Sequence, residues 1–355
     1  PGGERSARRP RSGQVEDVFR PIAHWPAHPL MLAAFAGRAL APASWVARTW
    51  RRPETRALFA GAAAHAFGSL RAPLSASIGL LLIAAGHAHG WPVAEGGSQS
   101  IADALAALLA DLGGTVETGV RVDSLDDLAG YDVALLDVSP RAVLRMAGDR
   151  LPGRVARAYR RFRYGPAAYK VDFAVEDGVP WRDEYSAKAG TVHLGGTFEQ
   201  VAAAEESVVR GRLPERPFVL VGQQYLADPS RSSGDLHPVW AYAHVPHGHP
   251  GNVTEAIVDQ IERFAPGFRT RVAARHIRTV ARMTAYNPNY VGGDIGTGAS
   301  TGLQLLLRPR PALDPYATGI PGVFLCSSAT PPGPGVHGMC GHNAALSALR
   351  HLRRA

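Results

Sequence analysis

Three glycines late in the 355-residue sequence, Gly333, Gly335 and Gly338, stand at the spacing G-x-G-x-x-G. A short apolar run at 322–327 precedes them and a small-residue helical pattern at 339–352 follows. Glycines there let backbone approach a bound group closely. The usual dinucleotide fingerprint is excluded by position. It opens a βαβ unit and needs a second strand ending in an acid about 20 residues on, whereas 17 residues follow Gly338 and none is acidic. What remains is a strand–loop–helix whose helix N-terminus offers free N–H groups and partial positive charge to an electron-rich ligand edge. A tight turn with no ligand is the plainer alternative, and the excess of Gly and Pro over 300–341 weighs against it. His337, inside the loop, is a weak catalytic candidate: it either donates to a ligand or substrate, or is satisfied by its own backbone.

Other reactive residue types read more plainly. Asn287, Asn289, Tyr290 and Asp294 surround Gly292-Gly293 and form a turn network more readily than a cavity wall. Cys326 and Cys340 lack a CxxC or Cys/His zinc spacing and read as small buried fillers. His244, His247 and His249 lie in Pro- and Gly-rich surroundings without a carboxylate pair, so no metal site is expected.

The elements that must position the loop follow from the patterning. Residues 15–90 read as short helices broken at Pro42, Pro53 and Pro73, a helical cap on a core that lines the entrance for an apolar small-molecule substrate. Residues 1–14 read as a flexible basic tail. Residues 91–150 carry an amphipathic helix at 101–112, with Leu105, Leu108, Leu109 and Leu112 on its apolar side and Ser98 or Ser100 as N-cap. Strands are expected at 115–122 and 133–138. From 151 to 285 the alternation predicts antiparallel strands, among them 169–175, 191–194, 218–225 and 239–245. A helix capped by Asn252 and Glu255 should cross them. Residues 286–355 close with the glycine loop. The fold class is α/β (α+β).

Composition excludes several functions. Hydrophobic residues make up 46% and charged residues 19%, which argues for a globular chain. The net charge of +8 concentrates at the ends, in Arg5, Arg8, Arg9 and Arg11 and in Arg350, Arg353 and Arg354. No basic stripe suited to nucleic acid remains in the body. Two cysteines point to a reducing compartment, and the polar start carries no signal peptide, so a cytoplasmic location is expected. The apolar run 78–85 is too short to span a bilayer, which leaves peripheral membrane contact through the cap. The first residue is Pro rather than Met, so further sequence upstream is expected.

Residues 324–345 resemble the C-terminal flavin segment of phytoene desaturases and their phytoene-dehydrogenase-like relatives in the amine-oxidase-like flavoprotein group. Residues 92–112, with the pair Gly96-Gly97, resemble that family's helix start, and 190–196, 240–246 and 287–294 resemble its bacterial branch. The similarity covers nearly all of 20–352. It implies an incomplete Rossmann-like FAD-binding domain interleaved with a substrate domain of antiparallel sheet plus helical cap. It also implies an FAD-dependent oxidoreductase that passes hydride from an apolar, isoprenoid or carotenoid-like substrate to the flavin. The backbone of Val122 would contact the adenine. Ser328, Gly333, Gly335, Val336, His337 and Gly338 would border the ribityl chain and flavin ring, with Ser328 standing where many amine-oxidase relatives carry an acid. The family's N-terminal βαβ unit with its glycine fingerprint has no counterpart here, so the chain is expected to be a fragment. The alternative is a non-catalytic binding or scaffold protein that kept the fold and lost FAD.

Overall fold

The computed structural model describes residues 28–354; the expected basic tail and the start of the cap lie outside them. The cap is helical as its proline-punctuated pattern predicts: α1 (Pro29–Ala39), α2 (Ala43–Ala47), α3 (Pro53–Ala64) and α4 (Ala76–His89). Pro29 and Pro53 each sit in a first helical turn, where a missing N–H costs nothing. Next come α5 (Gln99–Asp111), β1 (Ala134–Leu136), α6 (Pro140–Ala147) and α7 (Gly153–Arg161).

The middle of the chain alternates β2 (Ala167–Glu176), α8 (Glu184–Lys188), β3 (Thr191–Leu194), α9 (Phe198–Val209), β4 (Val219–Gly222) and β5 (Leu236–Val245). It continues through α10 (Thr254–Phe264), α11 (Phe268–Arg271), β6 (Val272–Arg278) and α12 (Val280–Tyr286). The chain ends with α13 (Gly302–Leu306), β7 (Val323–Leu325) and α14 (Met339–Leu352).

Two sheets organise these elements, and the fold is α/β. The larger is antiparallel throughout, in the order β3-β4-β5-β2-β6. Its period of two sorts side chains to opposite faces. Tyr169, Val171, Phe173 and Val175 of β2 join Val239, Ala241, Ala243 and Val245 of β5 under α10, sealed by Ile257 and Ile261. On the other face the cap residues Phe59, Ala60 and Leu70 meet Phe198, Phe218 and Leu220, with Trp240 and Tyr242 packed alongside. Gly222 is fixed by this packing. Its register partner is Trp240, whose indole lies 2.1 Å from where a Cβ would stand.

The smaller sheet is parallel and two-stranded, pairing β1 with β7 in the register Ala134↔Val323 to Leu136↔Leu325. Helices α6 and α7 cover one side through Val143, Met146, Val155 and Tyr159, against Leu325 and Ala329.

Three expectations are corrected. Residues 115–122 form no strand, because among the described residues they have no ladder partner; Val116 and Val120 are exposed. The apolar side of α5 faces solvent, with Leu105 at 64% and Leu112 at 77% exposure, and Ser98 caps it without a side-chain hydrogen bond. The Asn252–Glu255 capping box does not form. Asn252 Oδ1 accepts from Thr254 N–H and the Tyr169 hydroxyl, while Glu255 pairs with Arg269 and Arg275.

Candidate functional site

The glycine loop leaves the end of β7, where Cys326 N–H donates to Leu136 O at 3.0 Å and locks the strand against β1. The chain turns at once. Thr330 donates through N–H and hydroxyl to Ser327 O at 2.9 and 2.7 Å, and the Tyr316 hydroxyl donates to Pro331 O at 3.0 Å. Thr330 is fully buried and Ser328 half-buried. The first half of the loop is therefore a fixed shelf.

Beneath the shelf lies Arg308, a side chain with 0% exposure. Its Nη1 donates to Ser328 O at 2.9 Å, and its Nη2 approaches Gly298 O and Ala299 O at 3.4 Å. Its Nε is buried without a partner. Burial pushes the guanidinium pKa down to about 10, with Asp294 acting in the opposite sense. That guanidinium remains charged at neutral pH. Gly333, at φ +107°, is needed here because a Cβ would stand 3.2 Å from Arg308 Nη1.

Asp294 explains the polar cluster around Gly292-Gly293. Its carboxylate accepts from the N–H groups of Gly165, Gly296 and Gly298 at 2.7, 2.8 and 2.8 Å. Asn289 Oδ1 accepts from Ser139 N–H at 2.8 Å, and Asn287 Oδ1 from Asn289 N–H. This is a turn network joining the two sheets' connections, and it touches the glycine loop where Gly296 faces Pro334.

The second half of the loop is open. Gly335 and Gly338 are exposed and Val336 is 93% exposed. Gly338 caps α14 in the left-handed conformation at φ +65° with no side-chain cap. The N-terminal N–H groups of α14 keep their partial positive charge, apart from Met339 N–H, which donates to His337 Nδ1 at 3.0 Å. Burial holds the His337 pKa below its ordinary value, and a hydrogen bond with the Gly333 backbone opposes the shift. The imidazole is thus engaged by the loop's own backbone on both sides.

Sequence reasoning grouped Ser328, Gly333, Gly335, Val336, His337 and Gly338, and the structure holds them in one loop between β7 and α14. Val122 stands apart, 36% exposed in the irregular segment and without a hydrogen bond to that loop. Arg308 was missed. Its only trace in the sequence is a cation closing the apolar run at 305–307. Cys326 and Cys340 are free thiols whose pKa values burial raises, that of Cys326 to about 12, which makes them inert at neutral pH. Cys340 Sγ donates to Thr330 O and Gly333 O from below the loop. The three histidines separate: His244, on β5, contacts Glu205 at 2.9 Å, and His247 contacts Gly165 O. Among the described residues no group of three or more potential ligands could hold a metal ion. Nor is any described helix long and apolar enough to cross a membrane.

The chain is similar in sequence and in fold to proteins described as oxidoreductases. No family model matches the chain. It is 25% identical over 301 residues to the pyridine nucleotide-disulfide oxidoreductase domain-containing protein 2 of Mus musculus, over 74% of this chain and 52% of that protein. An uncharacterized protein of Mycobacterium tuberculosis (strain ATCC 25618 / H37Rv) is 26% identical, over 74% of this chain and 56% of the relative. The chain spans about half the length of the curated relatives it matches. In fold it is similar to an oxidoreductase from Methanosarcina mazei, with a TM-score of 0.60 and 16% identity over 91% of this chain and 71% of that one.

Proposed function

We propose that the chain is part of an FAD-dependent oxidoreductase that takes hydride from an apolar substrate, with the flavin ring held against the 328–338 loop. The observation that carries this reading is the open glycine loop, running from a buried strand into an uncapped helix and braced from below by a buried guanidinium. The residues fit a flavin. Gly335 and Gly338 present bare backbone, the α14 N-terminus offers N–H donors with partial positive charge, and the Arg308 charge lies one peptide layer beneath. Bound flavin would supply the two-electron acceptor, a task that depends on positioning more than on an acid–base pair.

On this reading His337 serves as a brace for the loop. The substrate would lie beside the cap, where a Cβ on Gly68 would stand 3.0 Å from Thr301. Beside it, Phe67 stacks on Tyr242 at 6.0 Å, and Tyr242 on Trp240 at 6.1 Å, within the packing of the cap on the sheet. The phytoene-desaturase type is the subclass that the sequence resemblance supports. Visible absorbance of the purified whole protein of which this chain is part, before and after addition of FAD, tests the reading. A bound yellow flavin that Gly335→Val removes is expected. A colourless protein that gains no flavin absorbance overturns it.

A further inference from the structure

A second concave site lies away from the glycine loop, on the outer side of the cap. Between α2, the start of α3 and the start of α9 there is a cleft of about 390 Å³, lined by Ser44, Trp45, Arg48, Arg56, Arg71 and the first turns of α9. Local structure fixes its walls. Ser44 N–H donates to Leu70 O at 3.0 Å and Ala43 N–H to the Ser75 hydroxyl at 2.8 Å, so α2 is tied to the turn that carries Arg71. Phe198 and Ala202 form a buried floor.

The charges in this cleft do not cancel. Three guanidinium groups face one carboxylate, Glu199, which pairs with Arg56. The Arg56 Nε is buried with no partner. Arg71 lies near Glu206, but that carboxylate is already engaged by the Ser69 hydroxyl and Arg210. Arg48 has no carboxylate partner among the described residues. Beside it, Trp45 is 63% exposed, a large aromatic surface that the fold does not use. Planar guanidinium forks match the oxygens of a phosphoryl group, and an exposed indole offers a face to a flat or apolar body.

We infer that this cleft binds a phosphorylated ligand, its phosphoryl group held by Arg48, Arg56 and Arg71 and the rest of the molecule lying on Trp45. The inference is independent of flavin. The phosphoryl group would come from a soluble metabolite such as a nucleotide or from a lipid headgroup.

Isothermal titration of the full chain with ADP and with pyrophosphate, and flotation with phosphatidylcholine vesicles with and without phosphatidic acid, separate the two sources. Arg48→Ala/Arg71→Ala is the test variant, because both side chains are exposed and its melting curve should match that of the parent. Saturable, salt-sensitive binding of ADP or pyrophosphate, weakened at least about tenfold in the variant, is expected for a soluble ligand. Binding only to the phosphatidic acid vesicles, lost in the variant, assigns the site to a headgroup. No binding to any probe, or equal binding by parent and variant, overturns the inference.

Discussion

The two sheets of this molecule use similar side chains to opposite ends. In the antiparallel sheet every strand has a neighbour, and both faces are covered, by α10 on one side and by the cap and α9 on the other. The β1–β7 pair is parallel, two strands wide, and covered by α6 and α7 on one side and by Ala344 and Ala348 of α14 on the other. Leu135 of β1 is exposed, as are Leu346 and Leu349 of α14, and so in the stretch before β1 are Leu105, Leu108, Leu112, Val116 and Val120. Parallel strands normally have both faces buried. The larger sheet is therefore a self-sufficient core, while the half around the smaller sheet leaves apolar side chains exposed.

The largest expected contrast is in stability. Phe173→Ala, at 3% exposure in the closed core, should cost about 3–5 kcal/mol, whereas Leu105→Ala on α5 should change stability by no more than about 0.5 kcal/mol. Urea titration of both variants checks this, and a large loss at Leu105 would break the comparison. Arg308→Met should come next, at about 1–3 kcal/mol, because it strips a buried carbonyl shelf of its donors. Hydrogen exchange should report that loss as faster exchange in the 328–333 loop, with β2 and β5 unaffected.

A third expectation concerns acid. His65 and His193 share a 2.9 Å contact at the seam of cap and sheet. Burial first, and the neighbouring histidines second, hold their pKa values down to about 3 and about 4. Unfolded histidine titrates near 6.5, so the unfolded chain binds more protons below that value. The stability these neutral imidazoles contribute is present above about pH 6.5 and is lost as pH falls toward about pH 4. Melting temperature measured from about pH 7 to about pH 5 should fall, and His65→Phe with His193→Asn should flatten the slope. The smallest effect is one of local dynamics. Residues 113–123 should exchange amide protons ahead of every strand of the antiparallel sheet, since they make almost no backbone hydrogen bonds.

The same contrast explains what the sequence revealed. The alternation of Tyr169 to Val175 and the run at 191–194 became strands because period-two patterning meets its partners within the described chain. The run at 115–122 has equal β character but no neighbour to pair with among the described residues, so propensity alone did not make it a strand. The amphipathic pattern of α5 predicted a helix correctly, yet periodicity marks an apolar face without saying what covers it. The glycine loop was legible because glycine spacing constrains backbone directly. Arg308 was not, because its burial depends on carbonyls at 298, 299 and 328 that meet only in three dimensions.

One consequence concerns the order of assembly. β1 pairs with β7, and the whole antiparallel sheet lies between them in sequence. During synthesis β1 leaves the ribosome long before its partner exists, while β2 to β6 can pair among themselves as they emerge. Closure of the β1–β7 pair is thus the longest-range strand pairing among the described residues and, by loop-closure entropy, the slowest to form. The glycine loop is finished only after the antiparallel sheet has set, which makes its appearance a sign that the rest of the molecule has folded.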